Sequence, residues 1–178
     1  MMLKEWSAVE RALGAGQQTV LLRKGGILET ASGFKVESKR FLIYPTWEHQ
    51  ARDNIRKSFW HHLDNVEKPA SGYNRISLLV EVLDQADVAS EETVHNLEPF
   101  HIWSRSYMAS RRNWQPKRPL KAVFLRTYKI KPFTIPIQDS YAGCRSWLEL
   151  DTEAIPDGPV LEQKTSDKML KEFQRIVS

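Results

Sequence analysis

Apolar and polar positions along the chain fall into short blocks with two periods. Leu3, Trp6, Val9 and Leu13 recur at close to helical spacing, with Lys4, Glu5 and Arg11 opposite them. They predict a first helix, ended by Gly14 and Gly16. Thr19 to Arg23 is a β-branched and apolar run that predicts a strand. Gly25-Gly26 follows directly and signals a hairpin, because glycine enters φ > 0 without steric cost. Ile27 to Thr30 is then the return strand, and Ala31-Ser32-Gly33 a second turn. Phe34 and Val36 alternate with Lys35 and Glu37, the period of a half-buried strand. Phe41 to Tyr44 is a short buried run that Pro45 ends. Thr46 suits an N-cap, with Glu48 in the first turn, for a helix over Trp47 to Leu63 carrying Ile55, Phe59 and Leu63 on one stripe.

Farther along, Ile76 to Leu83 predicts a mostly apolar, central strand and Asp84 to Ala89 a loop. Ser90 caps a short helix, and Pro99 opens another at Phe100, with Phe100, Trp103 and Tyr107 on one face. Asn113 to Pro119 is a basic loop and Leu120 to Ile130 a second strong strand. Lys131 to Asp139 reads as irregular, Cys144 to Leu150 as a strand, and Asp151 to Pro159 as a loop. Ser166 caps a last helix whose apolar face is Met169, Leu170, Phe173 and Ile176. The fold class is α/β or α+β: one domain over residues 1–178, with a central mixed sheet and peripheral helices.

The strings GGIxE at Gly25–Glu29, FLIYPTWEHQ at Phe41–Gln50, FHIW at Phe100–Trp103, LRTY at Leu125–Tyr128 and GCRSWLEL at Gly143–Leu150 resemble a bacterial and archaeal family, domain of unknown function 1802. The resemblance covers most of the chain, and YPTxxHQ is its most specific part. It implies one domain and transfers no activity.

Composition narrows the classes. At 178 residues with 41% apolar content and six tryptophans, the chain can bury a real core. Its one cysteine, Cys144, excludes an internal disulfide and a Cys-rich zinc site. No apolar run approaches the roughly 20 residues of a membrane span, and the N-terminus lacks an apolar signal core, so a cytoplasmic protein is expected. Walker and dinucleotide glycine motifs are absent.

Charge adds more through its placement than through its net value of +4. No Asp or Glu occurs between Glu98 and Asp139, a window with nine Lys and Arg residues interleaved with Phe100, Trp103, Tyr107, Trp114, Phe124, Tyr128 and Phe133. Cations for phosphates and rings for bases suit nucleic acid or another polyanion. The competing reading is a solvated basic face with the aromatics in the core.

Three constellations could carry chemistry. Glu29, with Glu37 and Lys39 on one strand face, resembles the carboxylate and lysine set of Mg²⁺-dependent nucleases, to which Glu5 or Glu10 could add an acid. Tyr44, Thr46, His49 and Gln50 sit where a strand feeds a helix, a usual anion site, with His49 as an acid or base and Asp53 four residues on. Arg23 and Arg126, each near a strand end, could grip one phosphate with Lys24 and His101 beside them, or be tied up in salt bridges to Glu29 or Glu81. Arg105, Arg111 and Arg112 complete the expected anion surface. The leading expectation is polyanion binding through residues 99–138 and a strand-end cleft. The alternatives are a Mg²⁺-dependent phosphodiesterase using Glu29, Glu37 and Lys39, and a non-catalytic interaction module.

Overall fold

The computed structural model describes residues 1–24, 33–64, 66–143 and 145–178. Strands β1 (Met2–Trp6), β2 (Val20–Arg23), β3 (Arg40–Thr46), β4 (Tyr73–Val88), β5 (Leu120–Pro136), β6 (Trp147–Leu148) and β7 (Pro156–Pro159) form one mixed sheet. Its order is β2-β5-β4-β3-β1-β6, with β7 also pairing β5. Among the described residues β1 and β3 run parallel, and every other strand pairing is antiparallel. Helices α1 (Ser7–Gly14), α2 (Glu91–Asn96), α3 (Arg105–Asn113) and α4 (Gln163–Val177) are peripheral. This is the α+β arrangement that the apolar blocks imply. Among the described residues, no helix is long and apolar enough to cross a membrane.

Strand alternation feeds two cores. In β1 and β3, Leu3, Phe41 and Ile43 enter the larger core, with α1, Phe100, Phe124 and Phe173. Met2, Leu42 and Tyr44, one residue out of phase, enter a smaller core with Ile76, Leu79, Ile130, Tyr141 and Leu148. Both faces of the sheet are therefore covered. In β4 the phase changes midway. Ile76 faces the smaller core and Leu78 the larger one, although regular pleating puts residues two apart on one face. A register shift against β5 accompanies it: between Ile76 and Leu78 the single residue Ser77 stands against three residues of β5, Ile130 to Pro132, so the extra residues lie in β5.

Several local expectations are corrected. Leu3 and Trp6 belong to a strand rather than the first helix, because β1 finds a parallel partner in β3 that uses Pro45 opposite Glu5. Residues 33–38 belong to no strand, so Phe34 and Val36 pack against the larger core without one. The segment 47–63 is not an α-helix; it makes two short 3₁₀ turns, Arg52–Asn54 and Lys57–His62. Thr46 ends β3 and caps nothing. Its hydroxyl donates to the Glu5 carbonyl at 3.1 Å. Strand β4 continues through Asp84 to Val88 by way of a second register shift, because β5 offers partners along that whole length. Likewise β5 runs on to Pro136, past the expected break at Lys131. Phe100 ends a 3₁₀ turn, and the helix beyond it starts at Arg105 behind Ser104, whose hydroxyl accepts from the Tyr107 N–H. Residues 156–159 form β7 rather than loop, and the 144–150 strand shrinks to Trp147–Leu148. Helix α4 starts at Gln163, so Ser166 is a buried first-turn residue rather than its cap. Ser90 does cap α2, accepting from Thr93 N–H at 3.0 Å. The expected Gly25-Gly26 hairpin, its return strand, most of the second turn and Cys144 lie outside the described residues.

Candidate functional site

Strand β2 ends at Arg23, paired with Lys121 near the start of β5. The Arg23 guanidinium is fully engaged. It donates to Glu5 Oε1 at 2.7 Å, to the Lys4 carbonyl at 3.3 Å and to Ser146 Oγ at 2.9 Å, and it lies 5.1 Å from the centre of the Phe34 ring. Glu5 is only 4% exposed. Burial pushes its carboxyl above the usual range, against the pull of Arg23 and, more weakly, Arg111. Arg126 is elsewhere, in the middle of β5, reaching Asp167 of α4 at 3.4 Å. Among the described residues the two arginines thus hold separate carboxylates, neither of them Glu81, and do not meet over one phosphate; Glu29 lies outside the described residues.

Beside this ion pair, Trp6, Trp103 and Tyr107 form an aromatic stack, with ring centres 4.8 to 6.0 Å apart. It belongs to the larger core, so Trp103 and Tyr107 are packing residues. Burial raises the Tyr107 phenol pKa. Phe100 and Phe124 are also core. Most aromatics of the acid-free segment therefore follow the competing reading.

Its cations, taken with Lys24, include a paired group and a second group at the end of β2, while Arg126 holds Asp167 and Lys129 and Lys131 are exposed farther along β5. Arg105 meets Glu98 at 2.9 Å, Arg112 meets Glu91 at 2.7 Å, and Lys121 meets Asp87 at 2.5 Å. The sequence gap in acids is thus partly filled in space by α2 and β4. The second group gathers where β2 ends against the last turn of α3. Lys24 is 1% exposed, and its ammonium donates to the Arg112 carbonyl. Burial, then Arg111 and Arg112, lower the Lys24 pKa. Arg111 lies over Trp114 at 5.0 Å. Arg118, in the loop leading to Lys121, has a buried Nη1 with no hydrogen-bond partner, as does the Nε of Arg112. Among the described residues, Lys24, Arg111, Lys117 and Arg118 have no carboxylate partner. Lys24, Arg111 and Arg112 were expected at an anion site, and Lys117 and Arg118 belong to the 99–138 segment expected to contact a polyanion; the pairing of Arg23 with Lys121 sets the 114–119 loop near the end of β2.

The Tyr44 to Gln50 cluster is a structural joint. Gln50 Oε1 accepts from the Ala8 N–H and the Ser7 hydroxyl, both at 3.2 Å, and its amide donates to the Thr46 carbonyl at 2.9 Å. The side chain fastens the 46–50 turn to the start of α1. Tyr44 is buried edge-on to Tyr141. His49 is exposed at φ 59°, and with no helix around it, it shares no helical face with Asp53.

Glu37 and Lys39 are exposed on the unpaired 33–38 segment and its exit, and Glu37 borders a cavity of about 490 Å³ with Arg145 and Ser140. Glu29 lies outside the described residues. Of the acids offered to complete the set, Glu5 is taken by Arg23, and Glu10 accepts from the Ser77 hydroxyl. Among the described residues, no group of three or more His, Asp or Glu side chains could hold a metal ion.

His101 is 2% exposed, and burial, then Arg56, push its pKa down to about 3. It borders a cavity between α2 and α3 that Arg112 also lines.

No curated protein and no solved structure matches the chain. The model of one family, a domain of unknown function (DUF1802), matches residues 2–172, and the chain belongs to that family.

Proposed function

We propose that this domain binds a phosphate-bearing polyanion, nucleic acid foremost, on the surface where β2 ends against α3. One observation carries the reading. Lys24 and Arg111 lie there, with Lys117 and Arg118 in the adjoining 114–119 loop, none with a carboxylate partner among the described residues, and Arg111 and Arg112 both act on the buried Lys24. Cations crowded together in this way repel one another, and a bound phosphate relieves that cost while gaining charge-assisted hydrogen bonds. Trp114, with Arg111 over its ring, offers a half-exposed aromatic for a base to stack on.

The test is a fluorescence-anisotropy titration with short single- and double-stranded DNA and RNA at low and moderate salt. Binding that weakens with salt, and that is lost in an Arg111→Glu/Lys117→Glu protein, is the expected result. Absent binding at low salt, or binding indifferent to the double substitution, overturns it.

A further inference from the structure

Of the six tryptophans, Trp6, Trp60, Trp103 and Trp147 pack in or against the larger core. Trp114 belongs to neither core and, among the described residues, meets no other aromatic ring. It stays half-exposed at the end of α3, which forgoes the burial that an indole offers.

The backbone holds this ring in place. The Trp114 N–H donates to the Ser110 carbonyl at 3.0 Å and so continues the last turn of α3. Arg111, three residues back, lies on the same side, its guanidinium 5.0 Å from the ring centre. Gln115 follows at φ 50°, and the Arg118 N–H donates to its carbonyl at 2.9 Å. Pro116 and Pro119 fix two further φ angles. A loop restrained in this way has little conformational entropy left to lose on binding.

The neighbouring charges choose the ligand. Arg111, Lys117 and Arg118 have no carboxylate partner among the described residues, which favours a phosphodiester backbone beside the ring. Trp47 is the contrast. It too lies outside both cores, but it borders a cavity where Glu10 and Glu67 balance Arg11 and Arg75. A duplex has little use for a ring like that of Trp114, because its base faces are stacked on one another and must be unstacked before they meet a side chain. A single strand presents bases that stack on indole rings directly.

We propose that the nucleic acid bound at the end of β2 is single-stranded, with one base stacked on Trp114 and the flanking phosphates on the neighbouring cations. This selection rests on the polyanion reading, and Trp114 is the residue that makes it.

The test uses three fluorescent ligands of about 12 nucleotides, in DNA and RNA form: a single strand, its duplex, and an abasic strand with the same number of phosphates. Anisotropy is read at low and moderate salt for wild type, Trp114→Leu and Trp47→Leu. Single-strand affinity is expected about tenfold above that for the abasic strand, and above that for the duplex. Trp114→Leu removes this advantage and leaves the abasic and duplex affinities and their salt slopes unchanged, while Trp47→Leu alters none of them. Single and abasic strands bound alike, a duplex bound more tightly than the single strand, or a Trp114→Leu loss shared by all three ligands overturns single-strand selection. In those cases salt-sensitive binding of the abasic strand leaves the polyanion reading standing. No binding of any ligand at low salt overturns both.

Discussion

Glu5 and Arg23 carry the largest single electrostatic commitment among the described residues. Both charges are largely withdrawn from water, and Arg23 alone ties β1, β2 and Ser146 together. Removing one partner strands the other: Arg23→Ala is expected to cost about 3 kcal/mol in urea denaturation, and Glu5→Gln/Arg23→Met to recover part of it. The histidines act at the same scale through pH. The folded-state pKa of His101 is depressed to about 3, and that of His62 to about 4 by burial and then His61. The folded protein therefore binds fewer protons than the unfolded chain below pH 6.5. The stability these groups contribute is complete above pH 6.5 and is lost as pH falls toward their folded values. Glu5 and Glu10, raised mainly by burial, act in the opposite sense, losing stability as pH rises above 4.5. A difference isolates one group: between pH 6.5 and 5, wild type should lose about 2 kcal/mol more than His101→Gln, read from urea midpoints at the two pH values.

Elements were legible where a period or a cap chemistry acts locally. Strands β2, β3 and the core of β5, the Ser90 cap of α2 and the buried stripe of α4 follow from neighbours within a few residues. The misses follow from partners distant in sequence. Nothing near Leu3 reveals that β1 will lie beside β3, so a helical spacing of Leu3, Trp6 and Val9 is equally consistent with a strand turning into a helix at Ser7. The same holds for Leu78, whose core is decided beside a register shift that extra residues of β5, Ile130 to Pro132, impose from far along the chain. Gln50 is the clearest case, because a cap is normally sought at the residue preceding a helix, whereas α1 is capped from 42 residues away. Gln50→Ala should accordingly cost about 1 kcal/mol, the usual size of a lost cap, and loosen the amide protons at the start of α1 first in hydrogen exchange. An unchanged stability would mean that solvent serves those N–H groups equally well.

For the molecule as a whole, the question is whether polyanion affinity belongs to a place or to net charge. The chain carries an excess of +4, and any such protein attracts nucleic acid weakly at low salt. A defined surface behaves differently. Each phosphate neutralised on a duplex contributes about 0.9 to the slope of log affinity against log salt. With Lys24 buried, the three remaining cations, Arg111, Lys117 and Arg118, predict a slope of about −3 for duplex DNA. Reversing Arg111 and Lys117 should flatten it by about 2, since two phosphate contacts are lost. Lys129 and Lys131 supply the control. They are exposed on β5, eight and ten residues beyond Lys121, so about 27 to 34 Å farther along the strand at roughly 3.4 Å per residue. Lys129→Glu/Lys131→Glu removes the same net charge from the far end of the sheet. A local site predicts an unchanged slope there, because counterions released at the interface do not depend on charges beyond a Debye length of about 10 Å. Equal losses in the two double variants would assign the affinity to net charge and leave the end of β2 without a specific role.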